Sequence, residues 1–133
     1  MNKRREARET LMQAVFQMDM QKDESSELLE SLIATKKLND SQRTFIRSSF
    51  ETIRRNLEAI DEAIEKNATN WTISRMPKTD LAVLRVAVSE ILFQDSIPDA
   101  VAINEAVEIS KIYCSDESRK FINGLLGKVA GSK

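Results

Sequence analysis

Arg4, Arg5 and Arg8 open the chain beside Lys3, with Glu6 the one acid among the first eight residues. On a helix, Arg4 and Arg8 are i, i+4 neighbours and Arg5 and Arg8 are i, i+3 neighbours, so their guanidinium groups share one face. A guanidinium is a planar fork that matches phosphate, and the trio is spaced for several phosphates along a strand. The same residues equally suit a solvated terminus in which arginine pairs with Glu6 and Glu9; spacing alone does not choose.

A second group lies near the other end. Ser118, Arg119, Lys120, Phe121, Ile122, Asn123 and Gly124 put cations, a ring, an amide and a glycine within two helical turns. Ile122 belongs to an apolar stripe and Phe121 stands one step, ~100°, off it. A ring at the edge of a core face, flanked by Arg119 and Lys120, suits stacking with an unpaired base; it also suits a core phenylalanine. Gly124 costs about 1 kcal/mol inside a helix, so a helix or a ligand is expected to approach its backbone. Asn123 suits reading a base edge or capping a neighbouring helix.

Other chemistry is excluded by what the chain lacks. It has no histidine, which removes Ser-His-Asp and Cys-His catalysis and histidine-ligated zinc. Cys114 is the single cysteine, so no internal disulfide or CxxC metal pair exists. Without histidine its activation would need a lysine or a helix start, and it reads as a small core residue. The three glycines fall in the last ten residues, leaving no phosphate-cradling loop. No carboxylate pair stands in an apolar setting that would mark a general acid or base. No catalytic residue, cofactor or metal is expected. There is no apolar run near 18 residues and no apolar leader, so neither a membrane span nor secretion is expected, and a reduced cytoplasm is the default location. Net charge is −1, which does not suit non-specific coating of nucleic acid, and no DNA partner is expected.

The elements that must position these residues are helices. With 133 residues, 41% hydrophobic and 31% charged, and only two prolines, the chain suits one globular all-helical domain. Ala7, Leu11, Ala14, Val15 and Met18 mark one apolar face, and Leu28, Leu29, Leu32 and Ile33 a short helix over 26–35. Ile46, Phe50, Ile53, Leu57, Ile60 and Ile64 alternate steps of four and three, predicting one long helix over 41–67. Periodicity breaks over 67–78, around Trp71 and Pro77, which predicts a boundary between subdomains and at most one short helical turn. Helices over 79–94, through Val101–Ser110 and from Ser115 onward complete the chain, the last opened by Ser115 and the acids Asp116 and Glu117.

Arg4-Arg5-Glu6-Ala7-Arg8-Glu9 with Gln13-Ala14-Val15-Phe16 resembles the opening of the NusB transcription antitermination factors. The stretch from Val101 through Asn104-Glu105 to Lys111, and the stretch from Asp116 to Leu126, resemble that family's later blocks. The middle, with Arg75 and the run from Asp80 to Leu92, is similar too. The resemblance spans essentially the whole chain and rests on the later blocks being in order and at the right separation.

This resemblance implies an all-α fold: a compact bundle of about seven helices in two packed subdomains, about 1–70 and 71–133. It implies binding of boxA-type single-stranded leader RNA together with NusE, a small-subunit ribosomal protein, and loading onto RNA polymerase during ribosomal-RNA transcription, without catalysis. Position by position it assigns Arg4, Arg5 and Arg8 to an RNA-binding stretch, and Ser118, Lys120, Phe121 and Asn123 to a second RNA-facing segment. Phe16 and Asp80 match positions near the NusE contact; Asn104 and Glu105 match a structural pair. Phe16 and Ser89 stand where tyrosine is common in the family, and Gly127 where aspartate is frequent. Two other readings are an accessory domain like that of ribosomal-RNA cytosine methyltransferases, whose catalytic domain this chain lacks, and a pure protein-interaction bundle. The expectation is that the arginines and Phe121 converge on one cradle. Removing Arg5 and Arg8 together is then expected to weaken RNA binding and leave thermal stability near wild type.

Overall fold

The computed structural model describes residues 2–69 and 71–133. Residue 70, where the expected division into 1–70 and 71–133 falls, lies outside the described residues. Among the described residues there are seven α-helices and no strand: α1 Lys3–Gln21, α2 Ser26–Ala34, α3 Asp40–Arg55, α4 Leu57–Asn67, α5 Lys78–Phe93, α6 Asp99–Tyr113 and α7 Asp116–Gly131. The short turn expected before Pro77 is a 3-10 turn, Ile73–Arg75.

Local chemistry explains the boundaries. Asn2 caps α1 by accepting from the Arg5 N–H at 2.9 Å, and Lys22 closes the helix in the left-handed region at φ 53°. Asn39 and Gln42 form a reciprocal capping box at the start of α3. Ser115 accepts from the Ser118 N–H and opens α7. Pro77 and Pro98 precede α5 and α6, where a missing N–H costs nothing.

The long helix expected over 41–67 is two helices. The break is Asn56, whose backbone leaves helical geometry (φ −113°, ψ 19°). Its side-chain amide donates to the Thr52 carbonyl at 2.8 Å, and its own N–H is shared between Thr52 and Ile53. An asparagine side chain that competes for backbone carbonyls is the physical cause. The apolar stripe survives the break, since Ile46, Phe50, Ile53, Ile60 and Ile64 are all buried.

α5 is the central element. Every residue from Asp80 to Ile91 is buried, as a helix enclosed on all sides requires. α1, α3, α4, α6 and α7 all pack on it. Ion pairs fix the directions. Arg8 near the start of α1 meets Glu90 near the end of α5, while Asp19 near the end of α1 meets Lys78 at the start of α5. α1 and α5 are therefore antiparallel. Arg5 pairs with Glu105, and Gln13 reaches Tyr113, so α6 runs parallel to α1. No helix among the described residues is long and apolar enough to cross a membrane.

Candidate nucleic-acid interface

The basic start of α1 is held from three sides. From α3, the Gln42 amide that completes the capping box also donates to the Lys3 carbonyl at 2.7 Å. Phe45, one turn further on, presents its ring to Arg4, whose guanidinium carbon lies 4.2 Å from the ring centroid. From α6, Glu105 accepts both forks of Arg5, at 2.9 and 2.7 Å. From α5, Glu90 accepts from Arg8 at 2.9 Å, and Arg8 also lies 3.7 Å from Glu105.

These contacts separate arginines that sequence spacing had grouped. Arg4 is exposed and Arg5 partly so, whereas Arg8 is 5% exposed. Arg8 is thus the buried counter-charge that lets Glu90 and Glu105 enter the bundle, and Arg4 and Arg5 form its outer layer. The expectation that removing Arg5 and Arg8 together leaves stability near wild type does not fit this burial: without both, Glu90 and Glu105 are buried carboxylates with no cation partner. Burial pushes the Glu90 carboxyl above its usual range, against the pull of Arg8, and one of its oxygens has no hydrogen-bond partner.

The second group sits at the other end of α5. Phe121 is half-buried, with its ring centroid 6.3 Å from that of Trp71 and the planes tilted by 54°. Phe121, Ser118, Asp80 and Pro77 line one groove with Trp71. Lys120 and Phe121 line a second with Trp71, Gly124 and Lys128. Asn123 is exposed on α7. Gly124 is open: a Cβ built there meets nothing within 4 Å, so no neighbouring helix explains it.

Arg8 and Phe121 are thus anchored toward opposite ends of α5. Arg8 is tied to Glu90 and Phe121 shares its groove with Asp80, and these anchors are separated by about 15 Å of rise along α5. α6 and α7 bridge the interval. The Glu108 carboxyl on α6, held low first by Lys111, also feels Arg5 on one side and Arg119 on the other.

Phe16 is half-buried on α1, and Asp80 is buried in the first turn of α5. Lys78 joins Asp19, one turn beyond Phe16, so both residues lie toward the same end of the α1–α5 pair. Asp80 faces Cys114. Burial, then the Asp80 carboxylate, pushes that thiol up to about 12, which leaves it protonated and unreactive near neutral pH. Asn104 is exposed, while Glu105 is the buried partner of the arginines.

Sequence reasoning missed Glu90, Phe45, Gln42 and Trp71 as parts of these sites. Glu90 had a readable signal: with Arg85 it is one of two charges between Leu81 and Leu92, the most apolar stretch of helix. A charge there requires a partner from elsewhere. Trp71, the one tryptophan, stood in the segment where periodicity failed.

Residues 5–131 match the family model described as NusB family. The chain is 43% identical over 130 residues to the transcription antitermination protein NusB of Acetivibrio thermocellus, covering 98% of this chain and 90% of that protein. Its fold is similar to that of T. maritima NusB, with a TM-score of 0.89 and 33% identity over 98% of this chain and 92% of that one. It also resembles a chain in the crystal structure of antitermination factors NusB and NusE in complex with double-stranded RNA, with a TM-score of 0.88 and 25% identity over 100% and 99% of the two chains.

Proposed function

The chain belongs to the NusB family, and from that premise we propose that it is a transcription antitermination factor that binds boxA-type unpaired leader RNA with NusE and joins RNA polymerase during ribosomal-RNA transcription. It works by binding rather than by catalysis. The supporting observation is the built basic turn at the start of α1. Its backbone is tied to α3 and its arginines to α5 and α6, so the outer cations are pre-positioned before any strand arrives.

Arg4 and Arg5 neutralise phosphates, and Arg8 acts beneath them by holding Glu105 and Glu90. The strand continues across α6 to α7, where Ser118, Lys120, Phe121 and Asn123 receive it. A span of about 15 Å is a few nucleotides of extended chain. Base choice comes from Phe121 and its polar neighbours, because phosphate contacts carry no sequence information. NusE docks toward the end of α1 and the start of α5, near Phe16 and Asp80, and holding both surfaces together raises the affinity for RNA.

The test is a titration of a boxA-type oligoribonucleotide and a scrambled control, with and without NusE, at several salt concentrations. Steep loss of affinity with rising salt, preference for the boxA-type strand and tightening by NusE are expected. Equal binding of both strands, flat in salt, would reduce the protein to an interaction module.

A further inference from the structure

Trp71, Gly124 and Lys128 stand beside Lys120 and Phe121 and take no part in the proposed site. The groove lined by Asn67, Thr69, Trp71, Lys120, Phe121 and Gly124 continues to Lys128 and contains no carboxylate. Among the described residues, Lys120 and Lys128 have no ion-pair partner, as is also true of Lys3, Lys36, Lys37 and Lys66, whereas Lys22, Lys78, Lys111 and Lys133 are paired. Trp71 is 47% exposed although its ring packs at a tilt near Phe121. Gly124 lies between the two lysines on α7 and offers bare backbone toward open space.

We propose that this groove is an extension of the RNA path, in which Trp71 stacks a base adjacent to the one at Phe121, Lys120 and Lys128 meet the flanking phosphates, and Gly124 lets the sugar–phosphate chain approach the helix. The inference rests on the RNA-binding reading above and adds a site to it. A polyanion is favoured over a protein occupant by the groove's charge: two unpaired cations and no acid, beside a large exposed ring. Stacking tolerates any base, since every base has a π-face, and phosphate contact adds affinity without sequence choice. The neighbouring groove differs, because Asp80 and Glu117 line it; the acid there turns phosphate away and leaves the Lys120–Lys128 side as the path.

Trp71 is the one tryptophan, so its fluorescence reports this groove directly. The experiment adds a fluorescein-labelled boxA-type dodecaribonucleotide to the full chain with NusE, following label anisotropy and tryptophan emission together. The expected result is quenching of Trp71 that saturates with the anisotropy change. Trp71→Leu is expected to weaken binding about tenfold. Lys128→Glu should weaken it several-fold and lower the salt slope by about one. Gly124→Gln, which favours the helix and whose Cβ meets no protein atom within 4 Å, should bind several-fold more weakly while melting no lower than wild type. RNA binding seen by anisotropy with unchanged emission, and with Trp71→Leu and Lys128→Glu equal to wild type, overturns the inference and leaves the RNA-binding reading standing. Emission that changes with NusE alone and not with RNA also overturns it, making the groove a protein surface. No RNA binding by anisotropy overturns both.

Discussion

Two arginine networks flank the ends of the α1–α5 pair, built alike and finished differently at the surface. At one end Arg8 joins Glu90 and Glu105, with Arg5 above it. At the other Arg85 joins Asp61, by two contacts of 2.8 Å, and Asp19 at 3.5 Å, with Lys78 above it at 3.1 Å from Asp19. Each centre is a buried arginine between two carboxylates, capped by a partly exposed cation. Around Arg85 the exposed cations are paired, Lys78 and Lys22 both with Asp19. Around Arg8 the paired charges balance, Arg5 and Arg8 against Glu90 and Glu105, but the exposed Lys3 and Arg4 make no ion pair among the described residues, and Arg4 rests on the Phe45 ring. The Arg85 network is a clasp between helices. The Arg8 network is a clasp with unpaired cations beside it at the surface, which is what a phosphate chain requires. The lesson is that arginine content does not mark the site; the uncompensated remainder does.

The comparison can be broken at several points. Arg8→Ala is expected to have the largest effect, about 3–5 kcal/mol of lost stability by urea denaturation, because it leaves Glu90 buried and unpaired while Glu105 keeps only Arg5. A loss below about 1 kcal/mol would show that Arg8 is not the keystone of its network. Arg5→Ala should keep the fold and weaken RNA binding about tenfold or more, and the same assay on Lys78→Ala should show little change. Equal losses from both would erase the distinction between clasp and site.

Asp19→Asn sharpens the other half. Burial pushes the Asp19 carboxyl up, but Lys78 and Arg85 outweigh it and hold it below the ordinary value. Its stabilisation is therefore present above about pH 4 and is lost as pH falls through the lowered folded value. The variant is expected to be about 1–2 kcal/mol less stable than wild type at pH 7, with the gap closing under acid, as read by thermal melts across pH. A gap independent of pH would assign the effect to packing. The smallest effect is expected for Phe45→Leu, which removes the ring under Arg4 at about 0.5–1 kcal/mol; RNA affinity should fall slightly because Arg4 loses its fixed position.

Much of the fold was legible in the sequence because helices are local. The faces Ala7–Met18 and Ile46–Ile64, the start at Ser115 and the breaks at Pro77 and Pro98 follow from periodicity and capping chemistry acting within a few residues. The division at Asn56 was not legible, since an asparagine on a helix face becomes a break only when its side chain takes the backbone carbonyl of Thr52. The candidate site was legible in part. The arginine face, the resemblance and the ring at Phe121 were readable, whereas the separation of the arginines into buried and exposed was not.

By itself the sequence determined the residue types at each end, their helical spacing and the lack of histidine and of a second cysteine, because composition and short-range periodicity need no partner. Tertiary structure alone decided that Arg8 turns inward to Glu90 while Arg5 stays near the surface, that Phe45 underlies Arg4, and that Trp71 stands beside Phe121. Those outcomes depend on how each helix is rotated about its axis against α5. That rotation is set by the packing of the whole apolar core, a sum over contacts from distant parts of the chain that no local pattern contains.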